Sequence, residues 1–318
     1  MSTREQCPTR LAPKALAANI RSSQPGGGWL VWLELAWGRV RRRWLRLVWP
    51  GYVVRLRAAR KGDCPDCPHD VIDDRDLKFF RNVCGYHFAV ADVPPRWLDR
   101  LPLARMGRGE VLLFGGGTSV LAVVAGFFAP YAAVPLALVA LFVVLFFRDP
   151  PRRIPDQPGA IVSPADGVIT DVEELDEVPF WDGPAVKVGI YLSVFDVHVN
   201  RVPEAARVIE VRYVPGRFLN TRRPAAGRLN EQCWTLFECE AAPHRLVAVK
   251  QIAGTFARRI VCEARPGAVL GRGERFGMIK FGSRTELYLV KDSSLCVVVR
   301  PGDRVKGGSS VLAKYESV

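Results

Sequence analysis

The stretch Gly277-Met278-Ile279-Lys280-Phe281-Gly282-Ser283-Arg284 decides how the rest of the chain is interpreted. It has alternating character, and residues 285–290 directly after it have the pattern of a β-strand. A Gly-Ser pair before a strand is by itself typical of a turn, because Gly supplies an unusual backbone angle and Ser bonds the backbone. The pair becomes informative only beside the other motifs of this chain.

Four further motifs accompany this stretch in a fixed order. They are Phe146-Phe147-Arg148-Asp149-Pro150, Ser163-Pro164-Ala165-Asp166-Gly167, Phe195-Asp196-Val197-His198-Val199-Asn200-Arg201, and Gln251-Ile252-Ala253-Gly254 with Ala257-Arg258-Arg259-Ile260. Together with residues 278–284 they resemble the pyruvoyl-dependent phosphatidylserine decarboxylases of the short bacterial and archaeal branch. The resemblance covers roughly residues 109–318, and the first hundred residues show no such match.

The resemblance implies that the chain makes its own cofactor, a pyruvoyl group, from Ser283. Decarboxylation of an α-amino acid needs an electron sink. In this family the serine hydroxyl attacks the carbonyl of Gly282, the resulting ester eliminates, and the dehydroalanine left behind hydrolyses to a pyruvoyl group. The expected α and β products are pieces of 282 and 36 residues that remain together as a heterodimer. The expected reaction converts phosphatidylserine to phosphatidylethanolamine and carbon dioxide.

A serine hydroxyl is a weak nucleophile until a base takes its proton. The resemblance places the family's triad on Asp166, His198 and Ser283, with His198 as base and Asp166 as the group that orients it. One position departs from the longer bacterial branch, which has a second histidine where Arg201 stands here. A division of labour between two histidines therefore cannot be carried over, and His198 is expected to serve cleavage.

Several polar side chains are predicted to contact the phosphate or the headgroup of the substrate. They are Arg148, Arg152, Arg153, Arg217, Asn220 and Asn230. The two asparagines lie in stretches that look like family motifs near the site. The arginines are equally explained as charges beside a membrane.

Residues 111–147 contain no charged residue, which leaves 37 positions between Glu110 and Arg148. One membrane span needs about 20 apolar residues, so this length suits two short spans. Ala129-Pro130 supplies the break between them. Because basic residues flank both ends, the sequence predicts a hairpin in the inner cell membrane, with the catalytic domain on the cytoplasmic side.

Residues 29–60 combine tryptophan with arginine in a helical pattern. One face carries Val40, Trp44, Leu47 and Val48, and another carries Arg39, Arg42 and Arg46. This arrangement suits a helix that lies in a bilayer interface. The alternative is an ordinary amphipathic helix packed on a domain.

Cys64, Cys67, Cys84 and His87 have the spacing C-x2-C-x16-C-x2-H. Two tight pairs separated by a loop can present four ligands to zinc, and such a closed site would be structural. His69 adds a spare imidazole. A redox pair at Cys64 and Cys67 and a loop with incidental cysteines are the alternatives.

The chain beyond residue 154 consists of short β-rich runs separated by Gly and Pro. This predicts an α+β protein with a predominantly β catalytic domain, sandwich-like or barrel-like, whose core the resemblance makes lipoyl-like. Residues 254–263 are a possible helix. The predicted organisation is a poorly ordered start at 1–28, an amphipathic helix and zinc-binding region at 29–105, a membrane hairpin at 106–153, and the decarboxylase domain at 154–318.

The strongly basic composition limits the classes of partner that the chain is expected to bind. The net charge of +13 suits nucleic acid or an anionic membrane surface. No nucleic-acid module is visible and the arginines cluster beside apolar segments, so a phospholipid membrane is the expected partner. Eight cysteines scattered over 318 residues do not make a disulfide framework, and most are expected to be reduced thiols. Two alternative functions are a lipoyl-like or biotinyl-like carrier modified at Lys280, and a non-catalytic zinc-containing membrane scaffold with an uncut Ser283.

Overall fold

The computed structural model describes residues 10–89, 92–93, 100–223, 225–255, 259–280 and 282–316. Within these residues the chain is a mixed α and β protein in which sheet dominates after residue 160, which confirms the predicted α+β class. The helices are α1 Trp29–Val48, α2 Pro50–Ala59, α3 Arg108–Glu110, α4 Gly117–Phe128, α5 Pro130–Phe146 and α6 Ala226–Leu229.

The charge-free stretch forms a helical hairpin. A π-helical segment, Val111–Gly116, leads from α3 into α4. Helix α5 packs against this segment and against α4. The break falls at Ala129 because Pro130 lacks the N–H needed to continue α4 but suits the first position of α5. Arg105–Phe128 is a helical stretch of 24 residues that is long and apolar enough to cross a membrane.

The strands after the hairpin are short and antiparallel. They are β1 Ala160–Val162, β2 Gly167–Leu175, β3 Ala185–Leu192, β4 Val199–Arg201, β5 Ala206–Val214, β6 Gln232–Cys239, β7 Leu246–Ala253, β8 Arg259–Cys262, β9 Val269–Leu270, β10 Arg275–Lys280, β11 Ser283–Val290, β12 Leu295–Val297, β13 Arg304–Val305 and β14 Val311–Tyr315. They build a sheet of eight strands in the order β13-β2-β3-β11-β7-β6-β5-β9. Two sheets of three strands have the orders β4-β10-β8 and β1-β14-β12.

Strand β11 lies in the interior of the large sheet, between β3 and β7. Successive side chains of a strand point to opposite faces. Leu287 and Leu289 accordingly enter the main hydrophobic core, while Arg284 and Glu286 form an ion pair on the other face. The first residue of this strand is Ser283, which is thereby fixed from both sides.

Two predictions about local structure are wrong. Residues 10–28 were expected to be poorly ordered, but residues 10–28 lie along the β-rich region, where Ile20 is fully buried and the Cys262 amide donates to the Ser23 carbonyl at 2.8 Å. Residues 1–9 of the predicted segment lie outside the described residues. Within the possible helix at 254–263, Arg259–Cys262 is instead strand β8, whose Ile260 and Val261 are buried between β10 and the core. Residues 256–258 of that prediction lie outside the described residues.

The cysteine-containing segment is tied to the same strand. The guanidinium of Arg81 is buried and donates to the carbonyls of Cys262 and Ala264, each at 2.6 Å. Arg265 donates in the opposite direction, to the carbonyl of Leu77 at 2.7 Å. The region before the hairpin is therefore packed on β8, which in turn pairs with β10.

Candidate active site

The predicted cleavage bond lies where the chain passes from one sheet to another. Strand β10 of the small sheet ends at Lys280, and β11 of the large sheet begins at Ser283. Between them Gly282 has a φ of 59°, a left-handed conformation that favours glycine. Phe281 lies outside the described residues. The Gly282–Ser283 bond therefore lies in the turn that joins the two sheets, which we call the cleavage turn.

The hydroxyl of Ser283 is buried without a hydrogen bond. The whole side chain is inaccessible to solvent, and Oγ has no partner among the described residues. Because a buried hydroxyl normally finds a partner, this one is left free at a cost to stability. The same freedom leaves Oγ available to react.

His198 lies directly beside the cleavage turn. Its Nδ1 bonds to the carbonyl of Asp196 at 2.9 Å, so Nδ1 carries the hydrogen. Its Nε2 then has the lone pair, and accepts the amide N–H of Gly282 at 3.2 Å. Burial, with a smaller contribution from the Arg148 charge, lowers the pKa of His198 to about 4 against the opposing effect of Asp196. At neutral pH the imidazole is thus an uncharged base with its lone pair directed at the cleavage turn.

Asp166 does not hold His198 as the triad prediction requires. Its carboxylate accepts from Arg152 at 2.8 and 3.0 Å and from the Gly307 amide at 2.8 Å. The Nδ1 atom of His198 is already satisfied by the backbone of Asp196. The direct orienting contact is therefore a main-chain carbonyl, which gives no signal in a sequence. Burial raises the pKa of Asp166, partly offset by Arg152.

Gly254 is a site residue whose role sequence reasoning missed, although it closes one of the quoted motifs. A Cβ at this position would lie 2.1 Å from the carbonyl oxygen of Gly282, far inside contact distance. That oxygen belongs to the bond that Ser283 would attack. Ala253, the preceding residue, pairs with Ser283 in the sheet. Only glycine lets strand β7 end against the cleavage turn.

The end of the hairpin forms one wall of the site. Phe146, the last residue of α5, places its ring 4.4 Å from the imidazole of His198. Arg148 donates to the carbonyl of Phe195, in the turn that precedes His198, at 2.6 Å. Asp149 pairs with the buried Arg201 at 2.6 Å. The motif at 146–150 therefore positions the segment that carries His198.

A buried polar network supports Ser283 from behind. The amide nitrogen of Asn200 donates to Thr285 Oγ1 at 3.1 Å, and that of Gln251 donates to Asn200 Oδ1 at 2.9 Å. These three residues belong to β4, β7 and β11. The network therefore fixes β4, which begins directly after His198, relative to β7 and to β11, the strand that begins with Ser283.

Four residues were predicted above all others to contact the substrate, and the structure gives them different positions. They are Arg148, Arg217, Asn220 and Asn230. Asn230 is buried and holds the loop to β7, because its amide donates to the Ala253 carbonyl at 2.7 Å. Arg217 pairs with Asn230 through the backbone, and Asn220 is exposed in the same loop. Arg148 donates to two main-chain carbonyls near His198. Asn230 thus has a structural position beside the site, and headgroup contact stays a prediction for all four.

Three of the four predicted zinc ligands lie together. The sulfur atoms of Cys64, Cys67 and Cys84 lie within 4.8 Å of one another. Two sulfurs bound to one zinc ion are roughly 3.8 Å apart, so the cluster fits such an ion. His87 is exposed and lies outside the cluster. His69 is nearer, with Nδ1 at 3.9 Å from the Cys67 sulfur.

Lys280 cannot carry a prosthetic group in this structure. Its ammonium group is buried and paired with Glu110. A carrier lysine must be exposed at a hairpin tip, so the lipoyl-like or biotinyl-like alternative is excluded by burial. The pair instead links β10 to the helical segment in front of the hairpin.

Comparison with known proteins identifies the family of this chain. The sequence profile of the family described as phosphatidylserine decarboxylase matches residues 139–313. A phosphatidylserine decarboxylase proenzyme of Rhodopirellula baltica is 47% identical over 240 residues, which are 76% of this chain and 99% of the relative. Proteins of the same name from Symbiobacterium thermophilum and Carboxydothermus hydrogenoformans are each 47% identical, over 63% and 56% of this chain and 92% and 82% of the relatives. The chain is therefore an enzyme, a carboxy-lyase, as predicted. It belongs to the phosphatidylserine decarboxylase family.

Proposed function

We propose that this chain is a membrane-bound phosphatidylserine decarboxylase that cuts itself between Gly282 and Ser283. The proposal depends on one observation: the hydroxyl of Ser283 is buried without a hydrogen bond, next to a turn that the neutral His198 contacts. In the proposed step Oγ attacks the Gly282 carbonyl while His198 takes the hydroxyl proton at Nε2. The Gly282–Ser283 C–N bond then breaks as the imidazolium returns that proton to the Ser283 nitrogen, which leaves an ester. For this the imidazole exchanges its bond to the Gly282 amide for one to Oγ.

The pyruvoyl group formed at position 283 supplies the electron sink for decarboxylation. The chain's own residues provide the surroundings of that group. Strands β3 and β7 hold it from both sides, Asn200 and Gln251 fix the strands beneath it, and Phe146 shields the imidazole from water. The two pieces of the cut chain form the proposed heterodimer.

The membrane location is supported by the hairpin. Within the helical stretch Arg105–Phe128, the most apolar 18 residues have a mean hydropathy of 2.1. They rise about 27 Å, close to a hydrocarbon core of about 30 Å. At the turn Tyr131 is 94% exposed, and large apolar residues of both helices are exposed along their length. Basic residues at both ends favour a cytoplasmic catalytic domain in the inner membrane.

A structural zinc ion is proposed at Cys64, Cys67 and Cys84. The fourth predicted ligand, His87, is replaced in this proposal by His69. The Nε2 atom of His69 bonds to the Asp76 carbonyl at 3.0 Å and so carries the hydrogen. Its Nδ1 therefore presents a lone pair toward the Cys67 sulfur, with the supporting bond that zinc-binding histidines usually make.

Denaturing mass spectrometry of the purified, lipid-supplied chain tests the proposed function. We expect pieces of 282 and 36 residues, with the smaller one blocked to Edman chemistry. Ser283→Ala should give one uncut chain, and Ser309→Ala, a control outside the site, should be cut normally. Carbon dioxide release from phosphatidylserine in mixed micelles should follow the cut fraction. An intact wild-type chain that retains Ser283 would contradict the proposal.

A further inference from the structure

Helix α1 presents its apolar side outward. The residues that it buries are Gly38, Arg42 and Leu45. The outward stripe consists of Trp29, Leu33, Trp37, Val40, Trp44 and Leu47. Trp37 is 65% exposed and Leu47 83% exposed. An amphipathic helix packed on a domain would bury this stripe, so α1 instead has the arrangement of a helix that enters a bilayer surface.

A cavity of about 510 Å³ lies along the flank of this stripe, between α1 and residues 68–80. It is lined by four arginines and two other polar side chains, together with apolar side chains such as Leu35 and Phe80. Its lining includes Trp32, Arg39, Arg43, Arg46, His69 and Asp70. The basic residues outnumber the single carboxylate, so the cavity favours an anion.

Two of the arginines in the lining lack an anionic partner. Arg46 pairs with Asp70 and Arg42 with Asp76, at 2.7 and 2.8 Å. Arg39 and Arg43 are exposed, and in the described part of the chain no carboxylate lies within ion-pair distance of either. Being four residues apart on one helix, they are neighbours on its surface. Two guanidinium groups are therefore available to a single ligand.

We propose that this cavity binds the phosphate of an anionic phospholipid, held by Arg39 and Arg43. Guanidinium groups match phosphate oxygens in pairs, which a lysine ammonium cannot do. The outward stripe of α1 sets how deeply the helix enters the bilayer, because the indole rings of its tryptophans lie at the level of the lipid headgroups. A lipid phosphate would thus meet the two arginines while the stripe lies in the bilayer surface.

This inference rests on the proposed membrane location but not on decarboxylation, and its test needs no turnover. Native mass spectrometry of the full chain in detergent counts bound phosphatidylglycerol and phosphatidylcholine during a titration. Phosphatidylglycerol carries the anionic phosphodiester and no serine. Wild type should retain phosphatidylglycerol preferentially, and the double variant Arg39→Gln/Arg43→Gln should bind it about tenfold more weakly.

The control is Arg55→Gln/Lys61→Gln, which removes the same charge from exposed positions nearby that do not line the cavity. It should bind like wild type. The variant Arg39→Lys/Arg43→Lys should recover only part of the loss, because it keeps the charge but not the paired geometry. If the double Gln variant does not fold, each single Gln variant is measured and should lose about threefold.

Three results would overturn the inference. One is unchanged phosphatidylglycerol binding in Arg39→Gln/Arg43→Gln. Another is an equal loss in the control, which would show general charge attraction. The third is displacement of the lipid by millimolar inorganic phosphate together with thermal stabilisation by phosphate alone, which would assign the cavity to a soluble ligand. Decarboxylase failure of the wild type would leave each of these readouts intact.

Discussion

Glu110 and Lys280 form an ion pair that is almost completely buried between the base of the hairpin and strand β10. Glu110 is the last residue of α3, directly in front of the charge-free stretch, and Lys280 is two residues before Gly282. Burial lowers the pKa of Lys280, and the Glu110 carboxylate acts against that shift. The pair thus connects the apolar helical hairpin to the strand that leads into the cleavage turn.

Removing one partner should therefore be costly. Glu110→Gln leaves a buried ammonium without its counter-charge, which costs about 3–5 kcal/mol. The measurement is the free energy of unfolding in detergent from a denaturant titration, with Glu110→Gln and its control both made in the uncut Ser283→Ala chain. The control Glu174→Gln breaks the exposed pair with Lys291 and should cost about 0–1 kcal/mol. Equal losses in the two variants would contradict the role of the buried pair.

Gly254→Ala should stop the cleavage turn from closing. The added methyl group would overlap the Gly282 carbonyl oxygen, at a distance of 2.1 Å. A displacement of about 1 Å at a reacting group costs about 10²-fold in rate. The readout is the fraction of cut chain against time after cell-free synthesis into lipid nanodiscs. Gly51→Ala, where no atom lies within 4 Å of the added carbon, should be cut at the wild-type rate.

Self-cleavage should tolerate acid better than an ordinary histidine base allows. The pKa of His198 is lowered to about 4, whereas an exposed histidine titrates near 6.5. The neutral base should persist as pH falls, so the rate should stay level to about pH 5 and decline toward pH 4. A midpoint near 6.5 in the rate of appearance of the small piece would refute this.

The same shift makes the stability of the fold pH-dependent. Because the pKa of His198 is lower in the folded chain, the unfolded chain binds more protons between about pH 6.5 and 4. The contribution of His198 to the free energy of unfolding therefore falls as pH falls through that range. In Ser283→Ala, which stays uncut, the slope should be present. In Ser283→Ala/His198→Gln it should be reduced.

His198 and Asp166 should differ in cleavage. His198→Ala should slow cutting by about 10²–10⁴-fold, the usual contribution of a general base. Asp166→Asn should slow it less, because Asp166 contacts Arg152 and Gly307 rather than the imidazole. If Asp166 acts through Arg152, Arg152→Gln should reproduce its effect. A loss in Asp166→Asn as large as in His198→Ala, with Arg152→Gln unaffected, would support a direct triad instead.

The metal site makes a prediction about two histidines. The purified chain should contain one zinc ion per molecule, and chelation should destabilise residues 61–88 in hydrogen exchange. His69→Ala should reduce zinc affinity, because its Nδ1 lies 3.9 Å from the Cys67 sulfur. His87 is exposed, so His87→Ala should leave zinc affinity unchanged. Zinc loss in His87→Ala alone would restore the ligand set expected from spacing.

The sequence was sufficient where one periodicity or spacing determines the structure. The absence of charge predicted the hairpin, and cysteine spacing predicted three clustered thiols. Strand β8 was missed because Ile260, Val261 and Cys262 are buried on both sides and do not alternate. The Asp196 carbonyl was missed because every residue has one. The packing of residues 10–28 depends on tertiary contacts that no local pattern encodes.

The interior position of β11 implies that the chain folds before it is cut. The small piece contributes β11 between β3 and β7, β13 beside β2, and β14 beside β1, so its strands are interleaved with those of the larger piece. Such an arrangement is reached by folding one continuous chain and cannot easily be assembled from two finished halves. Peptide-bond continuity is needed only until the sheets close. Afterwards the ladder holds the new chain end in place, and after denaturation the enzyme should not recover from its two pieces.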